Sequence, residues 1–169
     1  IDKATPYERA RQGVGFVPQG REIFGRLTVQ ENLLMGLATK KGGTPIPAEL
    51  FELFPVLKQM LGRRGGDLSG GQQQLVAIAS IMVMEPAILV MDEPTSQLDP
   101  GGARLVFDVI DTLAERGTTV VLFEHKLELL REHADTLGVL AGGRIALSGT
   151  PHDVLADERL DQWGVGSTR

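Results

Sequence analysis

Two adjacent carboxylates, Asp92 and Glu93, stand directly after the apolar run Ala87–Met91 and carry the clearest capacity for chemistry in this chain. At the C-terminal edge of a strand such a pair can divide the work of a Mg-nucleotide site: one carboxylate holds hydrated metal, the other orients and deprotonates a water. A second group lies upstream. Ser69-Gly70-Gly71 sets a hydroxyl and two residues without side chains ahead of a helical run, so backbone N–H groups and the positive end of the helix dipole can face an anion. Taken singly, the acids could simply cap a strand-to-turn junction, and a glycine turn before a helix is weak as a signal. Taken together, Asp67–Pro100 reads as a phosphate-handling unit built from a turn, a buried helix, a strand and an acidic tip.

The elements that must position these groups follow from local signals. Thr5-Pro6-Tyr7-Glu8 is a capping box with proline at the first helical position, which predicts a helix to about Gln12, stopped by Gly13. Val14–Val17 then reads as a brief strand. Gln19 follows Pro18 at its end, where it is either a solvated loop residue or a side-chain amide reaching toward metal and phosphate; the other motifs favour the second reading. Thr28-Val29-Gln30-Glu31 predicts a helix through Leu37, with Leu33, Leu34 and Leu37 on one side. Lys40–Pro47 is a polar Gly/Pro loop. Ala48–Leu61 carries an apolar stripe interrupted by Pro55, which predicts a kink or two short helices. Gly62–Gly66 breaks that pattern, so residues 20–67 form an all-helical insert between two sheet strands.

Downstream, Gln72–Met84 is apolar nearly all round and therefore buried on several sides. Ala103–Arg116 is amphipathic, with Leu105, Val106, Val109, Ile110 and Leu113 on its core face and Gly117 as its stop. Thr118–Phe123 is a continuous run rich in β-branched residues, expected of a parallel strand covered on both faces. Lys126–His133 reads as a short helix, and Leu137–Leu140 with Arg144–Ser148 as a hairpin across Gly142-Gly143. Thr150 caps a last helix, and Leu160–Arg169, with Trp163, reads as a loose tail. Strands alternating with helices give an α/β fold.

Composition narrows the function classes. A net charge of −5 without a basic block argues against nucleic acid as a partner. The absence of cysteine removes disulfides and thiolate metal sites, and neither His133 nor His152 has metal-ligand company. No apolar run reaches the roughly 18 residues that a membrane span requires. Beginning at Ile1 without an initiator Met or a leader, the chain reads as a fragment or a trimmed piece.

LSGGQ at Leu68–Gln72, followed by ILVMDEP at Ile88–Pro94, resembles the nucleotide-binding subunit of ABC transporters. In that family LSGGQ is the signature loop and ILVMDE the Walker B strand. Gln19 in VGFVPQ resembles the Q-loop, Ser96–Asp99 (SQLD) the D-loop, and His125 in VVLFEH the switch histidine. The resemblance implies a P-loop NTPase-like partial parallel sheet flanked by helices. It divides the chain into residues 1–19, the start of the core ending in the Q-loop; 20–67, the helical subdomain; 68–149, the signature loop and the rest of the core; and 150–169, a C-terminal helix and tail. It implies ATP and Mg2+ as cofactors, with Asp92 and Gln19 on the metal and Glu93, His125 and Gln19 in catalysis. Ser69, Gly70, Gly71 and Gln72 would bind the γ-phosphate of a nucleotide held by the other protomer of a head-to-tail homo- or heterodimer, with Asp99 at the same interface. The implied partner is a transmembrane permease subunit, probed by Phe24, Leu27 and Met35 unless these pack internally, and the implied location is cytoplasmic, peripheral on the inner face of the cell membrane.

Two departures qualify the expectation. No Gly-rich run ending in Gly-Lys-Ser/Thr occurs in the sequence, so the isolated chain is expected to bind ATP poorly and hydrolyse it negligibly, and to lean on dimerisation or swapping to cover open strand edges. Ser80 stands where many members carry Arg. Residues 5–74 resemble the ATPases of urea and branched-chain amino acid importers, and the stretch from about Leu75 resembles energy-coupling-factor ATPases, as a chimera would. The leading function is an importer ATPase subunit. The alternatives are a non-catalytic module lending its signature loop in trans and, less favoured, a soluble ABC ATPase of DNA repair or ribosome work.

Overall fold

Side chains just outside the helices start most of them. In the computed structural model, which describes residues 2–20, 22–96 and 98–163, the Glu8 N–H donates to the Thr5 hydroxyl while the Thr5 N–H donates to the Glu8 carboxylate, opening α1 (Pro6–Arg11). Gly13, at φ +85°, ends it, and β1 (Val14–Val17) follows. Thr28 and Glu31 form the same box at α2 (Val29–Gly36). In both boxes the threonine backbone N–H, helped by the hydroxyl, holds the glutamate carboxyl below the usual range. Pro55 divides the next stretch into α3 (Leu50–Leu53) and α4 (Pro55–Lys58). A third box, Ser69 with Gln72, opens α5 (Gly70–Met82), so this helix starts at Gly70, two residues earlier than the sequence pattern suggests. β2 (Ile88–Asp92), α6 (Pro100–Glu115) and β3 (Thr119–Phe123) complete the first of two units, which ends at Phe123.

The three strands form one parallel sheet in the order β1-β2-β3. Alternation assigns Gly15, Val17, Leu89, Met91, Val120 and Leu122 to one face, and there Val17, Leu89 and Met91 are fully buried. α5 covers this face closely: a Cβ on Gly15 would stand 2.5 Å from Ile81. α6 packs on β3 and on α5, contributing Val106, Phe107, Val109 and Leu113 to the core. The opposite face carries Phe16, Val90 and Val121 in one row, with Phe123 beyond. Phe16 is 52% exposed, Val121 41% and Phe123 46%. The expectation that Thr118–Phe123 is covered on both faces is therefore corrected, because both long helices lie on the same side. Two further expectations fail for the same kind of reason: Leu34 and Leu105 continue an apolar pattern in sequence but point off the covered stripe and are exposed.

The helical insert is closed on itself by backbone pairing. The Val29, Gly65 and Gly66 N–H groups donate to the carbonyls of Arg63, Leu27 and Gly25, so its first and last segments run side by side. Gly65 is buried there, and a Cβ would meet Ile23 Cδ1 at 2.9 Å. Asn32, 2% exposed, fastens the loop before α2: its amide donates to the Phe24 and Thr28 carbonyls and its Oδ1 accepts from the Phe24 N–H. α2 packs on α5 at Gly36, where a Cβ would lie 1.8 Å from the Ser80 carbonyl oxygen. The Ser80 hydroxyl beside this crossing is buried without a hydrogen-bond partner.

The second unit begins at Glu124. α7 (Leu127–His133) precedes a hairpin of β4 (Leu137–Ala141) and β5 (Arg144–Gly149), turned by Gly142 and Gly143 at positive φ. α8 (Pro151–Leu155), capped by Thr150, packs Val154 with Val139 and Leu160. Of the tail expected over Leu160–Arg169, residues 160–163 belong instead to a 3-10 helix (Glu158–Trp163) held by buried Leu160; residues 164–169 lie outside the described residues.

The α2–α5 crossing yields a paired expectation. Gly36→Ala lowers unfolding stability by about 2 kcal/mol or more, because the methyl group meets backbone rather than a flexible side chain, whereas Ser80→Ala removes an unsatisfied hydroxyl and leaves stability unchanged or raised by up to about 1 kcal/mol. Urea unfolding of the two variants checks both signs.

Candidate functional site

The parallel register of β1 and β2 delivers the two central side chains. Val17 is opposite Met91, so Gln19 and Glu93 stand the same two residues past a matched pair, at the C-terminal edge of the sheet. There the Gln19 amide nitrogen donates to Glu93 Oε2 at 2.5 Å. Pro18 restricts the chain before Gln19, and Gly20, at φ +99°, turns it away afterwards. Glu93 has φ +43°, a left-handed backbone that a non-glycine residue adopts only when its surroundings hold it. Its N–H donates to the Phe123 carbonyl at 2.9 Å, and its own carbonyl accepts from the Ser96 N–H at 3.0 Å. β3 on one side and the following turn on the other therefore fix it.

Asp92 is still within β2, opposite Phe123, on the face shared by Ile88 and Val90. The two adjacent acids thus diverge, Asp92 by strand alternation and Glu93 by the left-handed turn toward Gln19. Their donors, carboxylate and amide oxygen, are hard ligands of the kind Mg2+ takes. Among the described residues no group of three or more His, Cys, Asp or Glu could hold a metal.

The glycine-rich group lies at the start of α5. The Gln72 N–H donates to Ser69 Oγ at 3.3 Å and the Ser69 N–H to Gln72 Oε1 at 3.1 Å. Both side chains, read from the sequence as phosphate contacts, therefore build the helix start. The N–H groups of Gly70 and Gly71 in the first turn have no partner within the helix and carry the positive end of its dipole. Leu98 connects this turn to the segment after β2, standing 3.9 Å from a Cβ placed on Gly71. Asp99, expected at a subunit interface, caps α6 by accepting from the Gly102 N–H at 2.7 Å and is exposed. Gln97 of the SQLD motif lies outside the described residues. Pro94 and Thr95 are buried and anchor the intervening turn. His125 is exposed in the loop that opens the second unit.

Sequence reasoning passed over two residues that place the site. Asn32 holds the insert's entry loop, and Gln73 donates from α5 to the buried Gly65 carbonyl at 3.1 Å, tying the insert's closed end to the helix that carries the glycines. A polar side chain between apolar Val29 and Leu33 is the signal for the first. Of the exposed residues in the insert, Phe24 is 55% and Met35 48% exposed, while Leu27 is half-buried.

A family model described as ABC transporter matches residues 2–96. The probable branched-chain amino acid transport ATP-binding protein LivF of Archaeoglobus fulgidus is 34% identical over 98% of this chain and 72% of its own length. The energy-coupling factor transporter ATP-binding protein EcfA2 of Symbiobacterium thermophilum is 35% identical over 98% of this chain, which spans 59% of that relative's length. Both kinds of relative match along nearly the whole chain. A nucleotide-free ATP-binding cassette from an ABC transporter superposes with a TM-score of 0.79 at 28% identity, over 97% of this chain and 73% of that one.

The capping box gives a direct expectation for the glycine turn. Ser69→Ala lowers stability by about 1 kcal/mol, and Ser69→Asp retains most of it. Thermal and urea unfolding of both variants measure the difference; equal losses would show that the side-chain oxygen is not the cap.

Proposed function

The chain belongs to the ABC transporter family, and on that premise we propose that it is an ATP-binding subunit, importer in type, that energises transport through a transmembrane permease from the inner face of the cell membrane. The observation that carries this reading is the Gln19–Glu93 hydrogen bond at the C-terminal edge of the β1–β2 pair. It brings one acceptor-only acid and one amide to the place where an open parallel sheet receives a ligand. Glu93 orients and deprotonates the attacking water, while Asp92 and the Gln19 carbonyl hold Mg2+. The ion, when bound, neutralises charge on the phosphates. Ser69, Gly70, Gly71 and Gln72 face the γ-phosphate of a nucleotide on a second ATPase subunit, Asp99 lies at that interface, and His125 senses the phosphate. The α5 N-terminus supports the first of these assignments, because its leading N–H groups are those a phosphate would need.

The branched-chain amino acid and energy-coupling-factor names of the two relatives support a transport role. Exposed Phe24 and Met35 give the helical insert an apolar surface for the permease. No helix among the described residues is long and apolar enough to cross a membrane.

The 169 residues contain no Gly-Lys-Ser/Thr phosphate loop. By themselves they are therefore expected to lack the backbone cradle for the β- and γ-phosphates. A fluorescent ATP analogue with Mg2+ should show no saturable binding to the chain alone below about 1 mM. Binding beyond that of the added subunit alone should appear when an ATPase subunit carrying a phosphate loop is added, and Gly71→Asp, which sets a carboxylate in the turn that faces that nucleotide, should remove the gain. Micromolar binding by the chain alone would contradict this division of the site. Failure of any added subunit to restore binding would leave the signature loop without its proposed ligand.

A further inference from the structure

The Gln19–Glu93 contact has a direction, and that direction has chemical consequences. A glutamine amide has one donor end and one acceptor end, whereas an ionised glutamate has only acceptors. With Nε2 2.5 Å from Glu93 Oε2, the amide can face the carboxylate only through its nitrogen; turned over, it would set oxygen against oxygen. Among the described residues nothing donates to the Gln19 carbonyl oxygen, and Gln19 is exposed. Glu93 cannot adapt easily in its turn, because its φ of +43° and the bonds to Phe123 and Ser96 fix its backbone.

We propose that Glu93 is also a positioning residue for Gln19: by holding the donor end of the amide, it leaves the carbonyl as the end presented to a divalent cation. The relation is that of a ligand oriented by an outer hydrogen-bond partner, as when a carboxylate fixes the ring of a metal-bound histidine. It rests on the reading of Gln19 as a cation ligand given above. One consequence is specific. A Glu93→Gln substitution removes the acid and, at the same time, puts a second two-ended amide opposite Gln19, so either orientation of Gln19 becomes acceptable. The variant therefore loosens a cation ligand as well as removing a base.

The test is spectroscopic and needs no turnover. In the 15N-labelled full chain, the Gln19 side-chain amide is assigned by its disappearance in Gln19→Ala. The expected result is one amide proton shifted downfield of the other glutamine side chains, with the shift lost in Glu93→Ala and reduced in Glu93→Gln. MnCl2, used alone as the cation probe, should broaden this resonance in the wild type more than in Glu93→Gln. No downfield shift, or a shift unaffected by Glu93→Ala, overturns the orientation. A shift present without any Mn2+ broadening overturns the cation role of Gln19 itself, and with it the proposal, while leaving the amide contact standing. A second variant pair guards against misfolding: Gln19→Glu should lower the melting temperature, and adding Glu93→Gln, which reverses donor and acceptor, should restore it. Absence of that rescue would also overturn the proposal.

Discussion

The parallel pairing of β1 with β2 is the constraint on which the first unit depends. Strands this short, Val14–Val17 and Ile88–Asp92, gain little from ladder bonds alone and are held in register by what the covered face must bury. Val17, Leu89 and Met91 cannot leave the side covered by α5 and α6 without exposing apolar surface. A slip of one residue would turn them to the open face and carry Gln19 and Glu93 away from one another. Burial of three side chains in the sheet thus determines a polar contact beyond its edge.

The helical insert meets the same sheet through α5. Its two ends are joined by backbone pairing at Gly25–Val29 and Arg63–Gly66, so an insertion of many residues leaves and returns at nearly one place. Glycine at 65 and 66 permits that approach, and Gly36 permits the crossing of α2 on α5. Gln73 then links the closed end to the helix whose first turn presents Gly70 and Gly71. The glycine turn and the Gln19–Glu93 contact are accordingly carried by one packed framework. The ladder bond from the Glu93 N–H to Phe123 extends it to β3, at the last residue of the first unit.

What could be read from the sequence was what is local. Capping boxes at Thr5 and Thr28 involve residues three apart, and both formed, whereas the box of Ser69 with Gln72 emerges only from the structure, because those residues read as phosphate contacts. Pro55 divided a helix as its missing N–H requires. The acidic tip and the glycine turn were visible because their residue types are unusual next to apolar runs. What could not be read depends on partners distant in sequence. Leu34 and Leu105 carry the same apolar character as their buried neighbours, and only the placement of α5 and α6 on one side of the sheet decides their exposure. The left-handed Glu93 and the donor role of Gln19 arise from tertiary register, 74 residues apart in the chain. For Leu160 the signal was absent, since a single leucine in a polar stretch gives no period.

A double-mutant cycle on Gln19 and Glu93 tests most directly whether the β1–β2 register builds this site. Unfolding free energies of the wild type, Gln19→Ala, Glu93→Ala and the double variant give the coupling between the two side chains without reference to any ligand. A coupling of about 0.5–1.5 kcal/mol, the range for a hydrogen bond of this kind, is the result expected. Additive losses, with no coupling, would mean that the two residues do not meet at the sheet's edge and would remove the geometric basis of the proposed nucleotide site.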